Sequence, residues 1–290
     1  MDQAGKAADK EFLVDHHDDR RQQKLSHGPT LIDNNIMLSK SSLWIAAQGI
    51  AVVHNLMLGA FTAVGGGTDM IINGVNQPRY TPYHIPHRTE VAGFMTILHG
   101  DDRIYNNIFI QKCPVAEMEE KEDMGFTMTT NQVVGTEVFD EYPVYEEWLD
   151  QFAMDRPANL MELSPYHYSH LPVWVNGNAY FNGAKPCKNE KSFFEADPGK
   201  TVFAEVEEKE GKYYFRTNVG EFLKDFRDDI ISTQTLGKAF EPEQKFENPD
   251  GTELILDRDY FGEHRGLKTI LGPFAKQDSY EKIKKSALEG

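Results

Sequence analysis

Groups that could carry out acid–base chemistry are concentrated near the middle of the amino-terminal half. Four of the ten histidines in the 290-residue chain lie between positions 54 and 99, and Asp69 and Glu90 fall within the same segment. If the chain returned to the same place about every 20 residues, these two acids would be one strand spacing apart, about 4.8 Å. Retaining glycosidases hold a nucleophile and an acid/base carboxyl group about 5–5.5 Å apart. The spacing therefore predicts such a pair, and a merely polar surface loop is the alternative.

The histidines do not form a metal-binding pattern. His84 and His87 are three positions apart, but Pro82 and Pro86 favour an extended backbone that keeps the two rings from facing one ion. No HExxH or clustered Cys/His spacing occurs, so we expect no catalytic metal and no cofactor. The pair at 101–102 could bind a cation or cap the next strand, and capping is favoured, which leaves a structural calcium ion open.

Aromatic side chains near these polar groups could stack on a sugar ring. Tyr80 and Tyr83 lie inside the polar segment, and Trp44 precedes it. Flat rings pack well on the apolar face of a pyranose. Trp44 sits in an apolar stretch, so a place in the core is favoured for it.

A repeated phrase indicates how these residues are positioned. Segments 33–38, 54–58 and 105–110 each place an asparagine before three apolar residues, and the asparagines in register are Asn35, Asn55 and Asn107. The first interval is about 20 residues, which is typical of one coil of a parallel β-solenoid. The second interval is long enough for two coils plus an insertion. Stacked asparagines could bond one another along such a column, whereas chance matches among turn residues are the alternative.

The pattern weakens after residue 111. Residues 144–152 favour a short helix, and 201–216 favour a β-hairpin that turns at Glu210-Gly211. We expect an all-β chain with a partial parallel solenoid and a charged helix at its carboxy-terminal end, over 276–290. The predicted divisions are a charged tail or remnant (1–28), solenoid coils (29–183) with an active-site insertion (65–102), and a β-rich carboxy-terminal extension (184–290).

Composition excludes some partners. With 30 basic and 46 acidic side chains the net charge is −16, which disfavours nucleic acid and, more weakly, polyuronates. No apolar run is long enough to cross a membrane, and the segment 1–28 offers no secretion signal. Cys113 and Cys187 are expected to be reduced thiols, with pairing as the minor alternative. These features predict a cytoplasmic protein.

Two runs of the sequence resemble glycoside hydrolase family 120, the β-xylosidases. They are Arg79-Tyr80-Thr81-Pro82-Tyr83-His84-Ile85-Pro86-His87-Arg88-Thr89-Glu90-Val91 and Leu98-His99-Gly100-Asp101-Asp102-Arg103-Ile104-Tyr105-Asn106-Asn107-Ile108-Phe109. The phrase at 28–35 resembles right-handed parallel β-helix glycosidases more broadly.

The resemblance implies a right-handed parallel β-helix and retaining hydrolysis that releases xylose from the ends of β-1,4-xylo-oligosaccharides. It implies Asp69 as nucleophile and Glu90 as acid/base, with Asp101 and Asp102 as rival nucleophiles. The candidates to bind sugar hydroxyls are Asn35, His54, Asn55, His84, His87 and Asp102. Family members resemble chains about twice as long with a β-sandwich insertion, so we expect this chain to be the carboxy-terminal portion of such an enzyme, which would be a homo-oligomer in full-length form.

Two other classes of function stay open. A polysaccharide lyase on the same scaffold would need cations to neutralise a uronate, and Arg79, Arg88 and Arg103 could supply them. A non-catalytic solenoid that binds carbohydrate is the third class, because a partial chain could lack activity. Glycoside hydrolysis is the prediction that the residues favour.

Overall fold

Short strands dominate the part of the chain that the structure describes. The computed structural model describes residues 26–62, 69–72, 75–78, 80–112, 133–151, 169–197, 199–210 and 212–276, with the backbone alone at 62, 69–72, 75–78 and 212. The strands are β1 (Thr30–Asp33), β2 (Ile36–Met37), β3 (Ser41–Trp44), β4 (Ile50–Val53), β5 (Leu56–Met57), β6 (Ala60–Thr62), β7 (Asp69–Ile72), β8 (Val75–Pro78), β9 (Tyr80–His84), β10 (Val91–Thr96), β11 (Asp102–Tyr105), β12 (Ile108–Ile110), β13 (Val173–Asn176), β14 (Asn178–Phe181), β15 (Phe193–Glu195), β16 (Ala204–Lys209), β17 (Lys212–Thr217), β18 (Asp228–Asp229) and β19 (Lys268–Thr269). The helices are α1 (Tyr145–Asp150), α2 (Val219–Phe222) and α3 (Thr233–Leu236), and Glu137–Phe139 forms a 3₁₀ turn.

Two parallel sheets form the centre of this all-β fold. The first has the order β1-β4-β11-β13 and the second the order β15-β14-β12-β5-β2. Every pair within them is parallel, so equivalent residues of distant segments stack on one another. Val52 pairs with Ile32 on one side and with Ile104 on the other. A smaller parallel pair, β3 with β6, lies outside both sheets.

Strands β4, β5 and β12 are apolar on both faces because both faces are covered. One face of each sheet contributes to a shared core in which Val52 and Ile104 pack with Met57 and Phe109. The opposite face of the second sheet packs against carboxy-terminal residues such as Leu271. The opposite face of the first sheet is covered in the same way by another carboxy-terminal stretch. Burial on both sides explains why these strands appear in the sequence as continuous apolar runs.

A column of asparagines links successive segments, as the repeated phrase predicts. The Nδ2 of Asn35 donates to Oδ1 of Asn55 at 3.0 Å, Asn55 donates to Asn107 at 3.1 Å, and Asn107 donates to Asn178 at 3.0 Å. The backbone N–H of each donor residue also bonds to the same oxygen at 2.9 Å. Asn178 donates in turn to Oε1 of Glu190 at 2.8 Å. The predicted ladder is confirmed, and it gains a fourth asparagine and a terminal carboxylate.

The residue before each asparagine of the ladder turns the chain with a left-handed backbone. Asn34, His54 and Asn106 have φ values of 55°, 56° and 56°, and Gly177 has 73°. A β-carbon on Gly177 would lie 2.1 Å from Oδ2 of Asp228 and 2.4 Å from Oδ1 of Asn106, so a side chain here would displace both of these groups. The repeated corner fixes where each segment leaves the first sheet and enters the second.

Several local predictions can be compared with the structure. The helix predicted at 144–152 is present as α1, and the hairpin predicted at 201–216 is present as antiparallel β16 and β17. Trp44 is 38% exposed, so its assignment to the core is wrong. Cys187 is buried and free, whereas Cys113 and the segment 277–290 lie outside the described residues. The proposed domain boundaries stay predictions.

Candidate functional site

An antiparallel hairpin carries the first of the two runs that resemble a β-xylosidase, apart from Arg79. Strands β9 and β10 pair antiparallel, and the register shifts between Val91 and Gly93. The turn closes when the Ile85 N–H donates to the Glu90 carbonyl at 3.0 Å. A β-carbon on Gly93 would lie 3.0 Å from the Tyr83 ring, so glycine lets this ring lie against the hairpin. The hairpin therefore presents Tyr83, and the turn that follows it, to one side of the fold.

A small cavity lies between this hairpin and the start of β1. Its volume is about 210 Å³. The lining residues are Ser26, His27, Gly28, Pro29, Pro82, Tyr83, His84, Arg88, Pro242 and Gln244. Pockets for drug-sized ligands span about 300–1,000 Å³. The cavity is thus suited to a ligand about the size of one monosaccharide, and hydroxyl, imidazole, amide and guanidinium groups surround it.

His27 forms the buried wall of the cavity. It is only 2% exposed, and its Nδ1 lies 3.1 Å from the Thr81 hydroxyl. Its ring meets Tyr83 edge-on, with 5.9 Å between the centroids. Burial lowers the pKa of His27, and the nearby carbonyls of residues 82, 95 and 96 oppose this shift in part. The ring is therefore neutral near pH 7.

His84 ends β9, whereas His87 lies within the turn that follows and has a left-handed backbone. His84 lines the cavity, and its Nδ1 lies 3.2 Å from the Thr89 carbonyl. His87 points to the carboxy-terminal part of the chain, where its Nε2 lies 2.9 Å from Oε1 of Glu247. This contact ties the turn to the segment that supplies the far wall of the cavity. Among the described residues there is no cluster of three or more metal-ligating side chains.

The two predicted catalytic acids lie in two successive hairpins and are not related by strand stacking. Asp69 begins β7 and pairs with Pro78 of β8, while Glu90 lies in the turn before β10. Both therefore belong to antiparallel hairpins rather than to neighbouring strands of a parallel sheet. The argument that they lie one coil apart is wrong, because the insertion folds back on itself. Their catalytic roles stay predictions.

Glu90 is open to solvent beside the cavity. Its side chain is 61% exposed, and Oε1 lies 3.9 Å from Nη1 of Arg88, which lines the cavity. An exposed pair at this distance is weak. Glu90 can consequently turn toward a bound ligand at little cost, and the Arg88 cation can accompany it.

Four of the predicted hydroxyl-binding residues lie away from the cavity. His54, Asn55 and Asp102 are each 1% exposed or less, and none lines the cavity. Asn55 is a rung of the ladder, and Asp102 accepts a hydrogen bond from the Ile50 N–H at 3.1 Å. Asn35 is half-buried at the ladder's first rung, where it donates to Asn55. None of the four lines the cavity, and their roles in binding hydroxyls stay predictions.

The rival nucleophiles at 101 and 102 are buried as well. Oδ1 of Asp101 lies 2.5 Å from Nη1 of Arg103, and its Oδ2 accepts from the Phe240 N–H at 2.8 Å. Burial raises the pKa of Asp101 to about 6 although Arg103 opposes this, and burial raises the pKa of Asp102 well above its ordinary value. Arg103 also donates to the Leu236 carbonyl at 2.8 Å. The ion pair between Asp101 and Arg103 thus anchors the carboxy-terminal segment to the first sheet.

Sequence reasoning missed the cavity's wall at Ser26, His27 and Gln244. The first two directly precede the Gly28-Pro29 turn, whereas the third belongs to the carboxy-terminal part of the chain. The sequence offered a signal only for His27, which precedes Gly28 as Gln48 precedes Gly49. Both glycines are left-handed in the structure. That register marks His27 as part of the fold rather than of a tail.

A second, larger cleft shares the segment 241–244 with the small cavity, since Glu241 and Glu243 line the cleft whereas Pro242 and Gln244 line the cavity. Its volume is about 900 Å³, and it runs between α1, β13 and residues 235–243. Aromatic rings of Tyr145, Trp148 and Trp174 line it, and Arg103 lies 4.6 Å above the Trp174 ring. Residues 152–168, which follow α1, lie outside the described part of the chain. Arg103, a candidate cation of the lyase alternative, lines this cleft, whereas none of the predicted catalytic or hydroxyl-binding residues does.

Comparison with known proteins gives one informative similarity. The chain is similar to a solved structure of XylC in complex with xylose, with 31% sequence identity and a TM-score of 0.67. The alignment covers 87% of this chain and 35% of that one, so the chain spans about a third of the length of that protein. No protein-family model matches the chain, and no curated protein does. Within the described residues, no helix is long and apolar enough to span a membrane.

Proposed function

We propose that the chain is part of a xylose-acting glycoside hydrolase and that the 210 Å³ cavity is its sugar site. The observation that carries this proposal is the 31% identity to XylC, a protein solved with xylose, over 87% of the chain. The cavity supports it, since its size suits one sugar ring and its lining offers groups that bond hydroxyls. The expected substrate is the end of a β-1,4-xylo-oligosaccharide.

The proposed scaffold is a right-handed parallel β-helix. Supporting it are the two parallel sheets, whose strands come from successive segments in the same register. The asparagine ladder supports it too, because one rung per segment is what stacked coils would produce. Oligomeric assembly and a cytoplasmic location belong to the same proposal and rest on the sequence alone.

The proposed chemistry is a double displacement at the anomeric carbon. The Asp69 carboxylate attacks this carbon while protonated Glu90 gives its proton to the departing glycosidic oxygen. Glu90 then removes a proton from water, which attacks the same carbon, breaks the bond to Asp69 and releases xylose. Glu90 is supported by its place beside Arg88 at the cavity, and Asp69 rests on the family resemblance.

The Glu90→Gln variant tests this proposal. General acid–base catalysis contributes about 10²–10⁴-fold, so hydrolysis of a xyloside with a poor leaving group should fall by at least about 100-fold. Glu146→Gln, at an exposed position of α1, serves as the matched control and should keep the wild-type rate. An unchanged rate in Glu90→Gln would refute the role of Glu90.

The products separate the alternatives. Proton NMR of the first product should show β-xylose, the retained anomer, before it equilibrates. Unsaturated products that absorb in the ultraviolet would indicate a lyase and overturn the hydrolase proposal. Xylobiose binding without any turnover would instead indicate a non-catalytic carbohydrate-binding protein.

A further inference from the structure

The large cleft is built on four aromatic rings that come from three separate parts of the chain. Tyr145 and Trp148 are three positions apart on α1, so they project from the same face of the helix. Trp174 lies in β13 between two valines that pack in the core, so its ring faces the opposite side of the sheet. Phe240 is held beside them because its N–H donates to Asp101 at 2.8 Å.

Three of these rings are close to parallel. The planes of Trp148 and Trp174 are tilted by 24° and 31° from the plane of Tyr145, and each centroid lies 6.2 Å from the Tyr145 centroid. Phe240 closes the group at 5.4 Å from Trp148 and 5.9 Å from Trp174. Tyr145 is 40% exposed. Flat rings arranged in this way offer more than one place for a sugar ring to stack.

The charged side chains that line the cleft balance one another. Among the described residues they are two acids, Glu241 and Glu243, and two bases, Arg103 and Lys238. A cation would meet the two bases and an anion would meet the two acids, so a neutral ligand suits the cleft best.

Glu241 indicates which polar groups that ligand should carry. Its side chain is half-buried, and burial raises its pKa. Within the described part of the chain it accepts no hydrogen bond that would offset this burial. A partly desolvated carboxylate is stabilised by hydrogen-bond donors, and the hydroxyls of a neutral carbohydrate are such donors.

The cleft is separate from the small cavity, although the two share a wall. Its volume of about 900 Å³ is roughly four times the 210 Å³ of the cavity. Because Pro242 and Gln244 line the cavity while Glu241 and Glu243 line the cleft, the segment 241–244 lies between them. The cleft therefore has room for several sugar rings where the cavity has room for one.

We propose that the aromatic cleft is a second carbohydrate site, which binds a neutral xylo-oligosaccharide of about four units. Tyr145, Trp148 and Trp174 stack on its sugar rings, and Glu241 accepts a hydrogen bond from one of its hydroxyls. This inference rests on the proposed function for its ligand class. An oligosaccharide held in the cleft keeps its ends near the cavity and so raises the effective concentration of substrate there.

The test compares the binding of xylose and xylotetraose by titration calorimetry. Every protein carries Glu90→Gln, so that the oligosaccharide is not consumed. The chain with this change alone should bind xylotetraose at least about 10-fold more tightly than xylose, which corresponds to about 1.4 kcal/mol. Adding Tyr145→Ala, at an exposed position, should remove most of this preference. Tyr213→Ala, an exposed tyrosine that lines neither the cleft nor the cavity, is the matched control and should keep it.

A second measurement needs no substitution in the cleft. Two of the three tryptophans of the chain line it, so saturating xylotetraose should change the tryptophan fluorescence, and xylose should not. Hydrolysis of an aryl β-xyloside by the wild-type chain tests the proposed function separately.

The outcomes distinguish the two proposals. If the aryl xyloside is hydrolysed but neither the fluorescence nor the Tyr145→Ala titration shows an effect, the assignment of the cleft is wrong while the proposed function stands. If xylotetraose binds in the cleft and no xyloside is hydrolysed, the cleft assignment stands and the hydrolase proposal is overturned. If the chain neither binds xylotetraose nor cleaves a xyloside, both are overturned.

Discussion

The buried histidine at the left-handed corner gives the sharpest prediction on stability. His54 is fully buried, and neither ring nitrogen has a hydrogen-bond partner of good geometry. Burial lowers its pKa well below 6.5, the positive charge of Arg265 lowers it further, and the nearby Gly272 backbone opposes this only in part. Below pH 6.5 the unfolded chain therefore binds a proton at His54 that the folded chain does not bind. The free energy of unfolding is consequently unaffected by His54 above pH 6.5 and decreases as the pH falls below that value.

The size of the effect follows from the same pKa difference. At about pH 5.5, roughly one unit below the ordinary value, protonation stabilises the unfolded chain by about 1.4 kcal/mol. We expect His54→Asn to abolish this loss. Asparagine fits because Asn34 and Asn106 occupy the equivalent corners with nearly the same φ.

The assay is urea unfolding at about pH 8.0 and about pH 5.5 for wild type and variant. Between these pH values, wild-type protein should lose about 1.4 kcal/mol more of its free energy of unfolding than His54→Asn does. Comparing the two proteins cancels the contribution of other titrating groups. His84→Asn, at an exposed position, serves as the control. Equal losses in wild type and His54→Asn would contradict the argument that His54 is held neutral.

Three further predictions concern the stack. Asn107→Ala should lower the free energy of urea unfolding by at least about 3 kcal/mol, because it leaves several buried groups without hydrogen-bond partners. Asn35→Ala, at the half-buried end of the ladder, should lower it by about 1 kcal/mol. Equal costs would contradict the ladder's cooperative role. Gly100→Ala should prevent folding or severely lower Tm, since its β-carbon would lie 2.1 Å from a backbone oxygen; Gly183→Ala, with open space, should cost only about 1 kcal/mol. Arg103→Met should speed proteolysis near residues 236–240, because it leaves a buried carboxylate and carbonyls unpaired; unchanged digestion would count against this anchor.

The stacking of the central strands could be predicted because the sequence repeats the same short pattern in successive strands. Asn35, Asn55 and Asn107 recur with the same apolar neighbours, and a buried amide column needs that recurrence at every turn. Asn178 obeys the same rule but comes 71 residues after Asn107, so its register was not evident from the sequence.

The site was harder to predict because polarity alone does not tell which way a side chain points. His54 and Asp102 look like binding residues in the sequence, yet both face inward. The spacing of Asp69 and Glu90 mimics one coil, but two antiparallel hairpins account for it. A repeat length cannot predict which residues are neighbours where an insertion forms its own antiparallel hairpins.

The chain segments that connect one asparagine of the ladder to the next, here called excursions, differ in length, and this has an implication for how such chains diversify. Successive asparagines are separated by 20, 52 and 71 residues, yet their side chains meet in the same way each time. Doubling the length of a flexible excursion adds only about 0.6 kcal/mol of closure cost. Descendants of one ancestral chain can thus lengthen, trim or exchange these excursions, and with them the chemistry they carry, while the amide column keeps the scaffold aligned.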